Sequence, residues 1–217
     1  MRELVVNTFL TLDGVMQAPG GPEEDPSGGF EHGGWSFGYW DEPMQAAMGE
    51  SMSKPFDLVL GRKTYEIFAA HWPHTDEFGA EPLNKATKYV ASTTRTELEW
   101  ENSKLLEGDV PEAIRALKQQ DGPELQVHGS ADLLQTLLAH DLIDEFRLWI
   151  FPLVLGRGKR LFDGGTVPAG LEVTTSHVFS TGVIMATYRT GAEIKSGSFV
   201  PETPSEAELA RRAAQER

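Results

Sequence analysis

Two short apolar runs, each stopping at a glycine and turning at once into a helical pattern, constrain this chain more than any other feature. In Phe56-Asp-Leu-Val-Leu-Gly-Arg-Lys-Thr-Tyr-Glu66 the run stops at Gly61, and the strand-like Leu125-Gln-Val-His128 turns through Gly129 and Ser130 into a helix. Such junctions belong to a parallel, helix-covered sheet, where they gather at the carboxyl ends of the strands and line one crevice. Each leaves free backbone N–H groups and a positive helix end facing one point. Arg62, Lys63 and the Thr64 hydroxyl stand beside the first junction, and His128 and Ser130 flank Gly129 in the second. An anion suits either place, and the pair suits the two ends of a dinucleotide.

The remaining pattern fits such a sheet. Leu4 to Phe9 is rich in β-branched and aromatic residues and reads as a buried first strand, followed by a turn over Thr11 to Val15. Glycines, prolines and acids from Ala18 to Gly38 support no period, so that stretch is a long loop. Asp41 is placed to cap a helix from Glu42 towards Ser53, with Met44, Ala47, Met48 and Met52 as core filler on one face. Helices are also expected from Lys63 towards Ala69, after the Asp109 cap as far as Gly122, and from Ala131 towards His140. Thr87 to Thr94 and Phe146 to Leu155 read as strands, and Leu171 to Ser180 with Val183 to Arg189 as an antiparallel hairpin. The fold class is therefore α/β, a mixed, mostly parallel sheet closed by an antiparallel edge. Beyond Gly191 the composition changes. Ser196 to Pro204 reads as a linker and Ser205-Glu-Ala-Glu208 as a capping box opening a short polar helix towards Arg217. One domain over 1–190 with an appendage over 191–217 is expected.

Composition narrows the function. The 217 residues, 40% hydrophobic, suffice for one continuous core. With no cysteine, disulfides, thiolate catalysis and cysteine metal sites are excluded together. A net charge of −14 opposes binding to nucleic acid or an anionic membrane. No secretory leader pattern precedes Glu3, and no apolar run nears the roughly 20 residues of a membrane span, so a soluble, cytoplasmic protein is expected. Between Gly21 and Glu50 lie seven carboxylates and no Lys or Arg, read as a solvated acidic loop. The six histidines form no H-x-x-x-H or H-E-x-x-H pattern, so no metal site is expected. Neither a G-x-x-x-x-G-K-[ST] loop nor a Rossmann fingerprint occurs, since Gly156-Arg-Gly-Lys-Arg160 lacks the third glycine and the following helix. Arg62, Lys63 and Arg95 would suit the extra phosphate of NADPH, against the alternative of plain surface charge.

Taken in order, the landmarks resemble a known family. Thr11-Leu-Asp-Gly14, Gly61-Arg-Lys-Thr-Tyr-Glu66, the Ser92-Thr93 strand end, His128-Gly-Ser130 and Phe151-Pro-Leu-Val-Leu-Gly-Arg-Gly-Lys-Arg-Leu-Phe162 are similar to the dihydrofolate reductase superfamily. The branch they resemble contains the reductase domain of bacterial riboflavin biosynthesis. The resemblance implies a three-layer fold with a sheet of about eight strands and NADPH bound in an extended pose. It places Gly61, Arg62, Lys63 and Thr64 at the adenosine-side phosphate, and Ser92, Thr93 and Arg95 around the adenosine. Gly129 and Ser130, with His128 beside them, fall at the pyrophosphate, and Leu12, Asp13, Gly14 and Val15 at the nicotinamide. It implies reduction of a C=N bond in a pterin or pyrimidine-type heterocycle, of the phosphoribosylaminouracil reductase type, by a homodimer. In Asp41 it offers a carboxylate near the start of the first helix as the catalytic proton donor, although the usual proline-tryptophan approach to that helix is missing. A plain helix cap is the other reading of Asp41, and a nucleotide-binding module without turnover is the other reading of the chain.

Overall fold

The computed structural model describes residues 1–163, 166–199 and 203–215. Eight strands form a single sheet: β1 (Leu4–Thr11), β2 (Phe56–Gly61), β3 (Lys88–Ala91), β4 (Ser103–Leu105), β5 (Glu124–Val127), β6 (Glu145–Phe151), β7 (Gly170–Val178) and β8 (Ile184–Ala192). Their spatial order is β4-β3-β2-β5-β1-β6-β8-β7. The first six in that order run parallel, whereas β8 pairs antiparallel with β6 and β7 antiparallel with β8. The helices are α1 (Glu42–Ser51), α2 (Arg62–His71), α3 (Ala80–Lys85), α4 (Val110–Gln119), α5 (Ala131–Ala139) and α6 (Glu206–Gln215).

The alternation of side chains along the strands sorts the core into two faces. Leu4, Val6, Leu125 and Val127 pack against Ile114 and Leu117 of α4 and Leu133, Leu134 and Leu137 of α5. On the opposite face Phe56, Leu58 and Leu60 meet Tyr65 of α2 and Leu83 of α3. Trp149 and Phe151 on that same face meet Met44 and Met48 of α1, so the methionines are core, as their spacing predicts. Three layers result, with β1 and β5 at the centre of the sheet.

Two elements went unpredicted. α3 follows Gly79, whose φ of +94° reverses the chain, and its one and a half turns are too short for a period to show. β4 is three residues on the sheet edge. Strand ends also moved. β3 stops at Ala91 because the Ser92 hydroxyl accepts the N–H groups of Thr94 and Arg95, at 3.2 and 2.9 Å, and turns the chain away from the ladder. β6 stops at Phe151 because Pro152 has no N–H to give. In the appendage the Ser205 cap holds, accepting the Glu208 N–H at 3.3 Å, and α6 buries no residue. The expected linker falls partly on residues 200–202, outside the described residues.

Candidate active site

β2 and β5 are neighbours in the sheet, with Leu58 in register with Gln126. Their two glycine turns therefore meet. The Ser130 hydroxyl accepts the Gly61 N–H at 2.9 Å and donates to Thr64 Oγ1 at 2.7 Å, fastening the second junction to the first. A Cβ on Gly61 would lie 2.6 Å from Ser130 Oγ and 2.7 Å from its Cβ, so only glycine fits there. Ser130 itself sits at φ +83°, a strained conformation for serine. Neither Gly61 nor Ser130 caps its helix with a side chain, which leaves the first-turn N–H groups of α2 and α5 without a side-chain cap at one spot.

Glu66 organises the basic residues beside this junction. Its two carboxylate oxygens each take a guanidinium, Arg62 Nη1 at 2.9 Å and Arg95 Nε at 2.9 Å. The Arg95 hydrogen bond, then that of Arg62, outweighs the cost of burial and lowers its pKa. Arg62 and Arg95 thus form one half-exposed platform, although they are far apart in sequence. Lys63 and Glu66 together line a cleft of about 340 Å³ between α2 and the Glu24–Ser27 stretch. The sequence offered one signal for Glu66, its i,i+4 spacing from Arg62, but its bond to Arg95 depends on the β3 turn.

The Leu12–Val15 turn is built around the Asp13 side chain. The Asp13 carboxylate accepts hydrogen bonds from the Thr11 hydroxyl (2.5 Å), the Leu155 N–H (3.2 Å) and the Gly156 N–H (2.8 Å). Burial opposes its ionisation, yet these bonds prevail and hold its pKa at about 2. Arg160 donates to the Asp13 carbonyl at 2.9 Å. The Asp13 side chain is a staple between β1 and the 155–160 turn, and Val15 is fully buried behind it, which leaves Leu12, 62% exposed, and Gly14 at the surface of this turn.

The long acidic loop is not simply solvated. Lys159 Nζ holds Asp25 at 2.5 Å and the Ser27 hydroxyl at 3.0 Å, and Gln17 donates to the Asp25 and Ser27 carbonyls. Glu24 accepts the Gly20 and Gly21 N–H groups at 2.6 and 3.2 Å, and burial pushes its pKa up. Past this tether Trp35 and Tyr39 lie edge-on to Phe151 at 5.2 and 5.7 Å, and Trp40 edge-on to Phe9 at 5.7 Å. The loop folds an aromatic wall over the carboxyl ends of β1 and β6.

Asp41 caps α1. One oxygen accepts the Met44 N–H at 2.8 Å and the other the Ser180 hydroxyl at 2.6 Å. The Ser180 bond, then the Met44 bond, lowers its pKa. The cap that the sequence offers as one reading of Asp41 is thus formed. His128 closes the β5 end. Its Nε2 lies 2.6 Å from Gln126 Oε1 and its ring stacks on Phe56 at 6.0 Å. Desolvation depresses its pKa to about 4, so it is neutral at neutral pH.

The model of the RibD C-terminal domain matches residues 2–185. This chain belongs to that family. It is 26% identical over 196 residues to the uncharacterized protein YyaP of Bacillus subtilis (strain 168), covering 86% of this chain and 94% of that one. Among solved structures it superposes on a pyrimidine reductase-like protein from Corynebacterium diphtheriae with a TM-score of 0.59, at 11% identity, covering 88% and 93% of the two chains. It also superposes on dihydrofolate reductase from Enterococcus faecalis, complexed with NADP(H), with a TM-score of 0.57 at 15% identity, covering 88% and 97%. The dihydrofolate-reductase-like fold and the riboflavin-type branch implied by the five landmarks are therefore both found.

Within this RibD C-terminal domain the structure gathers Gly61, Arg62, Thr64, Ser92, Arg95, Gly129 and Ser130 around one end of the crevice. Lys63 shares a cleft with Glu66, Asp13 ties β1 to the 155–160 turn, and Asp41 caps α1. Among the described residues no group of three or more His, Asp or Glu could hold a metal ion, and no helix is long and apolar enough to cross a membrane.

Proposed function

We propose that this RibD C-terminal domain is an NADPH-dependent reductase of a pterin- or pyrimidine-type heterocycle. The observation that carries the reading is the fastened Gly61/Ser130 junction with the Glu66-bridged arginines beside it. Uncapped N–H groups of two helices suit the pyrophosphate, and Arg62 with Arg95 suits a further phosphate dianion, which NADPH has and NADH lacks. NADPH, when bound, supplies the hydride. The chain's own part is to orient the cofactor across the strand ends and to keep water from the reacting face with the Trp35–Trp40 aromatic wall.

Hydrogen bonds hold the Asp41 carboxyl below its ordinary pKa and His128 is neutral, so water delivers the proton in this reading. That same feature favours a second reading, an NADPH-binding module without turnover. A homodimer in the cytoplasm accompanies the proposal. Its support is β7, an edge strand exposed along nearly its whole length that presents Leu171, Val173 and Val178. The reductase reading also keeps nucleic acid and membranes out, on charge grounds.

Thermal unfolding with NADPH, NADH and no ligand tests the cofactor. At about a hundred times its dissociation constant, NADPH adds roughly 2.7 kcal/mol and raises Tm by several degrees. No shift with either nucleotide rejects the proposal. A shift without NADPH oxidation on any pterin or pyrimidine leaves the binding-module reading standing.

A further inference from the structure

Asn7 lies at the centre of the sheet and is 5% exposed. Its Oδ1 accepts the Trp149 indole N–H at 3.3 Å. Because an indole nitrogen only donates, this bond fixes which end of the amide is which and leaves Nδ2 as the other end. No described residue accepts from that nitrogen. That nitrogen is not among the fully enclosed polar atoms of the described residues, so an acceptor in front of the sheet can reach it.

A matching acceptor stands on the next strand. Glu124 is gripped by Arg147 through two bonds of 2.7 and 2.9 Å, and Gln126 donates its amide nitrogen to the same carboxylate. Gln126 must then turn its oxygen to His128, so the proton of that imidazole sits on Nε2 and Nδ1 keeps a bare lone pair. No described residue donates to Nδ1. Val5 and Val6 are in register with Gln126 and Val127, so Asn7 and His128 are the next residues of adjacent strands and share one face. That face continues to Phe9 and Phe151 under the aromatic wall.

We infer that Asn7 and His128 form a neutral donor–acceptor pair that reads the lactam edge of an uncharged heterocycle, an oxo group beside a ring N–H. Asn7 Nδ2 donates to the oxo group and His128 Nδ1 accepts the ring N–H. Arg147, Glu124 and Gln126 are positioning residues, which fix the imidazole tautomer without touching the ligand. The inference rests on the reductase reading, for which the crevice holds a heterocycle beside the nicotinamide.

The test uses the full chain loaded with NADP⁺, which prevents turnover, and titrates it with a pterin and with the corresponding diaminopteridine, followed by pteridine fluorescence. The diamino compound replaces the oxo group by a donor and the ring N–H by a lone pair, mismatching both partners. The wild type is expected to prefer the pterin by about tenfold or more. Asn7→Asp presents an acceptor in place of the donor, so that each compound matches one partner and mismatches the other, and removes the preference. Asn7→Leu narrows it to what His128 alone discriminates, and carries the test if the aspartate variant fails to fold. Retained stabilisation by NADPH reports that each variant is intact. An unchanged preference in variants that still bind NADPH overturns the pair, as does a wild type that binds NADPH but neither pteridine. Lack of stabilisation by NADPH in the wild type is a separate arm, read before any pteridine is added, and its failure is that of the reductase reading itself.

Discussion

The end of the crevice at β2 and β5 is made of backbone held by short contiguous motifs, whereas the end along β1 and β6 is made of side chains drawn from far apart. At the first end, Gly61, Thr64, Gly129 and Ser130 bring two helix starts together through hydrogen bonds of 2.9 and 2.7 Å. At the second, Asn7, Trp149, Trp35, Tyr39 and Trp40 converge from β1, β6 and the long loop. Backbone donors are insensitive to the identity of the ligand beyond its charge, so the first end suits a cofactor common to many enzymes. Side chains carry donor and acceptor patterns, so in the proposed reading the second end sets selectivity. His128 belongs to both, since it ends the strand at the first and faces the second.

The largest expected effect concerns His128. Its proton binds near pH 6.5 in an ordinary environment and at about 4 in the fold. Between those values the unfolded chain binds more protons than the folded one. The stability associated with the neutral ring is therefore fully present above pH 6.5 and is lost as pH falls towards 4. A shift of this size corresponds to a ceiling on the order of 3 kcal/mol. Chemical denaturation across that range, with His128→Gln as the control lacking the titration, should show the wild type losing more stability on acidification. Equal slopes would remove the claim that the ring is held neutral between the two ends.

Gly61→Ala attacks the backbone-built end. The new methyl meets Ser130 Oγ at 2.6 Å, and the junction must part to admit it. A loss of about 1–3 kcal/mol is expected from the overpacking, with weakened NADPH binding. Adding Ser130→Gly removes the obstructing hydroxyl and the strained serine backbone together, and should recover part of the stability but not the two lost hydrogen bonds. Full tolerance of Gly61→Ala alone would mean that the two turns are not clamped as described.

Arg62→Ala should weaken NADPH about tenfold while leaving NADH unchanged, by loss of a charge-assisted contact to the extra phosphate. Glu66→Gln should produce a smaller, same-direction loss, because both arginines stay cationic but lose their common anchor. Nucleotide titrations read both. Equal weakening of NADPH and NADH by Arg62→Ala would make this residue structural and erase the distinction between the adenosine side and the rest of the crevice.

The same contrast explains what the sequence revealed. Gly61-Arg-Lys-Thr64 and His128-Gly-Ser130 were legible because each local string dictates its own turn, and the sheet then has only to place β2 beside β5. The leucine stripe of α5 and the hairpin of β7 and β8 were legible by period. Glu66 escaped because one of its partners, Arg95, depends on where the Ser92 turn ends β3. Asn7 escaped because an asparagine within Leu4-Val-Val-Asn-Thr-Phe9 reads as an incidental polar residue until Trp149 is known to fix its amide. The acidic loop was misread, and the bonds of Asp13 went unseen, for a similar reason. Carboxylates look solvated in a string, and only the fold shows that Gly156, Leu155 and Lys159 hold them.

The smallest expected effect separates a cap from an acid at the second end. Asparagine caps helices as well as aspartate does, so Asp41→Asn should keep the Met44 N–H bond and leave Tm nearly unchanged, while Asp41→Ala should lower it by losing both that bond and the Ser180 contact. With the carboxylate ionised in the fold, removing its charge should leave the pH profile of NADPH oxidation in place. A general acid contributes about a hundredfold or more to turnover. A loss of that size in Asp41→Asn at unchanged Tm would restore Asp41 as the proton donor, and the side-chain end of the crevice would then hold its own chemistry as well as its own selectivity.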